Sequence, residues 1–129
     1  MAERVVERTL SDGGLSIHYR LERLGGDLLL TVTGGAAHVG CVVLATHRQS
    51  LTGSGADSAD SSVLNRSGHK DEFLLRALAE RLSAVAGCAV AAVGGVHYDG
   101  LDQQALRSAA HIEQQALAQA EDWAAELLP

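Results

Sequence analysis

Leu15-Ser16-Ile17-His18-Tyr19-Arg20-Leu21-Glu22, then Gly25-Gly26-Asp27, then Leu28-Leu29-Leu30-Thr31-Val32-Thr33, is the stretch on which the fold turns. Leu15, Ile17, Tyr19 and Leu21 alternate with Ser16, His18, Arg20 and Glu22, the period of two that marks a strand with one wet face. Gly25-Gly26-Asp27 reads as a hairpin turn, because glycine accepts the positive φ of tight turns. Leu28 to Thr33 is then a second strand of the same sheet. Working outward, Val5 to Leu10 forms a preceding strand that ends at Ser11-Asp12-Gly13-Gly14, and Val39 to Thr46 a following one. The first third of the chain is therefore expected to be an antiparallel meander of four strands.

Beyond it the character changes. Residues 48–67 are rich in Ser, Gly, Asp and Thr, and read as a long flexible loop within one domain spanning 1–129. A helix of about four turns follows Asp71, with Phe73/Leu74, Ala77/Leu78, Leu82 and Val85 as its apolar stripe. Ala86-Gly87 ends it. Ala89 to Val93 is apolar throughout, which suits a central strand, and Gly94 to Gly100 continues as a loop or strand extension. The last helix, from about Asp102 to Leu128, repeats Ala109, Ile112, Ala116, Ala120, Trp123 and Leu127 at steps of three and four. Strands, helix, strand, helix is an α+β order with a mostly antiparallel sheet of five to six strands and two helices.

Composition narrows the functions. The 129 residues suit a single domain with its own core. Aromatic residues make up only 3 %, so the core is expected from Leu, Val and Ala, with Phe73 and Trp123 as large fillers. A formal net charge of −6 disfavours nucleic acid and anionic membrane surfaces as partners, since both are bound through Lys and Arg. Cys41 and Cys88 stand far apart in apolar surroundings and read as buried free thiols of a reducing compartment. The N-terminus has no apolar signal core and no run reaches membrane-spanning length, so a cytoplasmic protein is expected.

Three segments could carry chemistry. Gly34-Gly35-Ala36-Ala37-His38-Val39-Gly40 joins two strands, and its glycines would let backbone N–H groups approach an anion. On spacing alone, a plain hairpin turn with a solvent-facing histidine explains it slightly better. Ser67-Gly68-His69-Lys70-Asp71 opens a helix, where free N–H groups and the dipole attract phosphate or carboxylate. Asp71 or Ser67 could simply cap that helix; capping leaves Gly68, His69 and Lys70 unexplained, so anion binding is the better reading there. In Gly94-Gly95-Val96-His97-Tyr98-Asp99, Asp99 taken alone is best read as a turn or capping residue, while His97 is evenly balanced. His18, His47 and His111 read as ordinary surface residues. His38, His69 and His97 with Asp71 or Asp99 could in principle ligate a metal, but no metal-binding spacing supports it.

Taken in order, Thr33-Gly34-Gly35, Ala37-His38-Val39-Gly40, Gly68-His69-Lys70-Asp71 and Gly95, His97, Asp99 resemble the LpdD-like prenylated-flavin chaperones. This family includes the accessory D subunit of gallate-type decarboxylase systems. The resemblance covers Leu28 to about Ile112, and departs from the family pattern at Ser67, where proline is expected, and in the long polar loop before it. It implies a fold related to proteasome-assembly chaperones and a homodimer. It also implies a maturation factor, rather than a conventional enzyme, that binds reduced prenylated FMN (or FMN), assists its oxidation and delivers it to a UbiD-type decarboxylase. The flavin prenyltransferase is a further candidate partner. Gly34, Gly35, His38, Gly68, His69, Lys70, Asp71, His97 and Asp99 would then hold the cofactor, with Lys70 and the helix start on its phosphate. A ligand-free interaction module and a metal-dependent hydrolase are the competing readings.

Overall fold

The computed structural model describes residues 4–50, 57–66 and 72–128. The elements run β1 (Val5–Asp12), β2 (Leu15–Leu24), β3 (Asp27–Gly35), β4 (Cys41–Gln49), β5 (Asp57–Asn65), α1 (Glu72–Ala86), β6 (Val90–His97) and α2 (Gln103–Leu127). The six strands form one sheet in the order β1-β2-β3-β6-β4-β5. Every neighbouring pair is antiparallel except β3 and β6, which run parallel.

The register carries the alternation of β2 across the sheet. Tyr19 faces Val32 and Leu21 faces Leu30; Leu30 pairs with Ala92 and Leu28 with Val90; Val43 opposes Ala92 and Ala45 opposes Val90. All of these side chains are buried on a single face. Both helices cover that face: α1 packs on β4, β5 and β6, and α2 on β1, β2 and α1. Leu75, Leu78, Ala79 and Leu82 anchor α1, while Ile112, Ala116, Ala120, Trp123 and Leu127 anchor α2. The Trp123 indole meets the Tyr19 ring at a centroid distance of 5.4 Å. Burial pushes the Tyr19 phenol above its ordinary range, with Glu113 adding to the effect.

Three expectations are corrected here. The first four strands are not a meander, because β6 lies between β3 and β4. Its alternating residues Val90 and Ala92 are fully buried and the intervening Ala91 and Val93 half-buried, so it belongs at the centre, with β3 parallel on one side. Residues 48–67 are not all loop: Asp57–Asn65 is strand β5, paired along its length with β4, and residues 51–56 lie outside the described residues. Its polar composition suits an edge strand with one wet face, and Arg48 holds Asp60 at 2.8 Å. Finally, Phe73 is not core. It is 71 % exposed, because the buried stripe of α1 is phased on Leu75, Leu78 and Leu82.

The opposite face of the sheet carries the alternate residues. At its centre Leu44 lies opposite Ala91 and Val42 opposite Val93, with Leu29 beside Ala91 on β3. Leu44 is 52 % exposed and Leu64, next to Val42 on β5, is 75 % exposed. Ion pairs flank this apolar centre, Arg20 with Glu7 and Glu22 towards one edge and Arg48 with Asp60 towards the other.

Candidate functional site

Topology gathers the glycine-rich segments at one end of the sheet. Because β3 and β6 are parallel, their C-terminal ends lie side by side, with Gly34 opposite Val96 and Gly35 opposite His97. β4 runs the other way and starts there, Cys41 opposite Gly94. β5 finishes there, Asn65 opposite Cys41. The chain between Gly35 and Cys41 thus has to pass over the end of β6.

Local chemistry fixes that passage. Gly35 adopts φ +63°, and a Cβ at that position would lie 2.0 Å from the His97 carbonyl oxygen, so only glycine fits. The Ala36 N–H donates to that same His97 carbonyl at 2.9 Å, and the Gly40 N–H to the Gly94 carbonyl at 2.8 Å. Held at both ends, residues 36–40 lay the His38 ring on Gly95, where a Cβ would come within 2.5 Å of the imidazole. His38 Nδ1 donates to the Ala36 carbonyl at 3.1 Å; a neutral ring with that tautomer has its acceptor lone pair on Nε2.

The His38 and His97 rings stand edge to face, with centroids 6.4 Å apart. His97 Nε2 lies 3.0 Å from Asp99 Oδ1. Asp99 is 97 % exposed, so this pair orients the imidazole more than it stabilises the fold. Asp99 does not cap α2; that is done by Asp102, whose carboxylate accepts from the Ala105 N–H at 2.8 Å. A groove of about 390 Å³ opens beside this connection, between Gly13, Tyr98, Asp99 and the first turn of α2.

Of the sequence-derived candidates, the structure brings together Gly34, Gly35, His38, His97 and Asp99. Gly68, His69, Lys70 and Asp71 lie outside the described residues. The residues on either side of them are anchored at the same sheet end. The Arg66 N–H donates to the Gly40 carbonyl at 2.9 Å, and Asn65 Nδ2 donates to Glu72 Oε1 at 3.1 Å. The other histidines serve elsewhere: His18 meets Thr9 at 2.9 Å and His111 meets Asp12 at 2.7 Å. Among the described residues no group of three His, Cys, Asp or Glu side chains is arranged to hold a metal ion.

Two residues escape the sequence reading. Arg66 reaches back along this end, its Nη1 donating to the Val39 carbonyl at 3.2 Å, one residue from His38. Tyr98 bonds across to β2 at Ser16. The signal for Tyr98 was its place between His97 and Asp99 in a chain with very few aromatics; Arg66 offered no signal beyond adjoining Ser67.

A six-stranded mixed sheet with two helices on one face defines an α+β fold. The protein is similar in fold to a chain of a chaperone complex for yeast 20S proteasome assembly, with a TM-score of 0.54 over 95 % of this chain and 99 % of that one, at 14 % identity. No curated protein matches the sequence. Residues 11–125 match the prenylated flavin chaperone LpdD-like domain, and the chain belongs to that family. No helix among the described residues is long and apolar enough to cross a membrane.

Proposed function

We propose that this protein binds reduced prenylated FMN at the β3–β6 end of its sheet, assists its oxidative maturation and delivers it to a UbiD-type decarboxylase. The observation that carries this reading is the meeting of two sequence-distant Gly/His segments, with His38 and His97 ring centroids 6.4 Å apart. The residues suit a flavin. Gly34 and Gly35 let β3 and the Tyr98 ring pack closely behind the site, and two imidazoles offer donors and acceptors to the polar edge of the flavin ring system. Arg66 stands at the same end for a phosphate.

When bound, the flavin supplies the electrons that reduce oxygen. The chain's own part is to bind, orient and shield it. His38 is oriented through the bond from Nδ1 to the Ala36 carbonyl, and His97 through Asp99. A homodimer formed through the uncovered sheet face completes the proposal. That face has the apolar centre and neutralised polar rim of an interface, while Glu113, Glu121, Asp122 and Glu126 all lie on α2, in the helix layer.

Co-expression with a flavin prenyltransferase tests the reading. The purified protein should carry flavin absorbance in the near-UV or visible and gain thermal stability with FMN. Colourless protein whose melting temperature ignores FMN would overturn it. A ligand-free assembly module is the second reading, favoured by the same exposed face. Under it, His38→Ala leaves complex formation intact while substitutions at Leu44 abolish it.

A further inference from the structure

We infer that Tyr98 is a positioning residue that sets both imidazoles of the site, by clipping the end of β6 onto β2. The clip answers a local need. The β2–β3 ladder stops at His18 opposite Thr33, so the β2 backbone before it has no partner strand on that side. Ser16 would come next but one, opposite Gly35, which has turned away at φ +63°. The Tyr98 hydroxyl takes the place of the missing strand. It accepts from the Ser16 N–H at 3.1 Å and donates to the Ser16 carbonyl. One side-chain group thereby satisfies two backbone groups that would otherwise be left without a strand partner.

The ring occupies the space that the glycines vacate. A Cβ on Gly34 would lie 3.4 Å from Tyr98 Cε2, and one on Gly35 would lie 3.2 Å from Cδ1. Tyr98 is covalently between His97 and Asp99, so anchoring its ring fixes the His97–Asp99 pair. It also fixes His38 indirectly, because the Ala36 N–H hangs on the His97 carbonyl and His38 Nδ1 hangs on Ala36. The Tyr98 hydroxyl, docked on the Ser16 backbone of β2, therefore controls two rings.

This inference rests on the proposed flavin reading only for its ligand. The test is Tyr98→Phe in the full chain, which deletes both hydrogen bonds and keeps the ring. In ¹⁵N-histidine NMR spectra the His38 and His97 ring signals should shift, while those of His47 on β4 and His111 on α2 stay. FMN affinity should fall about tenfold, the size expected for one lost positioning contact, with the cooperative thermal transition retained. Unchanged His38 and His97 signals would overturn the inference. So would a general collapse in which all the assigned histidines move and the transition is lost, since Tyr98 would then be a strut of the whole fold. Failure of the unsubstituted protein to bind FMN would sink the flavin reading alone, and the imidazole signals would still decide the role of Tyr98.

Discussion

The imidazole of His38 rests directly on the backbone of Gly95: a Cβ there would lie 2.5 Å from both Cε1 and Nε2 of the ring. Gly95 does not have a positive φ, so alanine suits its backbone and only the loop-borne ring must move. Gly95→Ala should keep the fold within about 1 kcal/mol while displacing His38 and weakening FMN binding. Its neighbour behaves differently. Gly94 has φ +150° and a Cβ would strike the Val32 carbonyl oxygen at 1.9 Å, so Gly94→Ala should cost about 3 kcal/mol or more. Chemical denaturation and FMN titration of the two variants separate a site glycine from a structural one. Equal stability losses would refute the distinction.

Much of this architecture is legible in the residues because a period of two or of three-to-four survives in β2, β3 and α2. Strand order is not legible in the same way. The alternation in β4 says which face is buried but not which strand lies beside it, so a hairpin partner looked natural where β6 in fact intervenes. β5 was hidden because an edge strand with one wet face tolerates Ser and Asp. Phe73 misled by size, since burial on α1 follows the phase set by Leu75, Leu78 and Leu82. At the candidate site the glycines and histidines stand out as motifs. Tyr98 and Arg66 do not, because both act on backbone groups of Ser16, Val39 and Gly40 that only the folded topology brings near.

Arg66 is expected to read the phosphate of the ligand. Among the described residues its guanidinium meets the Val39 carbonyl and no carboxylate, whereas Arg8, Arg20, Arg48 and Arg76 each pair with an acid. Arg66→Ala should weaken FMN about ten- to a hundredfold, the range of charge-assisted hydrogen bonds, and flatten the salt dependence of binding. Riboflavin, which lacks the phosphate, should bind both proteins alike. Isothermal titration with the two flavins checks this; a parallel loss for riboflavin would remove the phosphate role.

Glu113 on α2 gives a pH signature. Desolvation raises its carboxyl above the ordinary range, so the folded chain holds this proton more tightly than the unfolded one. Between the ordinary Glu value and the raised one the native state binds more protons, and stability therefore falls as pH rises through that window. Glu113→Gln should flatten this decline and stabilise the protein at neutral pH by under about 1 kcal/mol, once solvent screening is allowed for. Denaturation midpoints at a series of pH values from acid to neutral measure it. A larger pH slope in the variant would contradict the argument.

The sheet face opposite the helices supplies the last prediction. Leu44 is 52 % exposed there, opposite Ala91 and near Leu24, around a shallow recess of about 180 Å³. An exposed Leu on the chain alone tolerates a polar replacement at roughly 0.5 kcal/mol. Within a contact between two copies, an unpaired carboxylate would be stripped of water and the contact would fail. Light scattering at micromolar concentration should therefore give twice the chain mass for the unsubstituted protein and the chain mass for Leu44→Asp. Leu106→Asp, on the exposed surface of α2, should leave the dimer intact. Two-fold contact through the sheet would bring the His38–Gly95 surface of each copy towards its partner, so Leu44→Asp should also weaken FMN binding although it touches neither histidine. A dimer that survives Leu44→Asp but not Leu106→Asp would move the interface to the helix layer and leave the flavin site on an open surface.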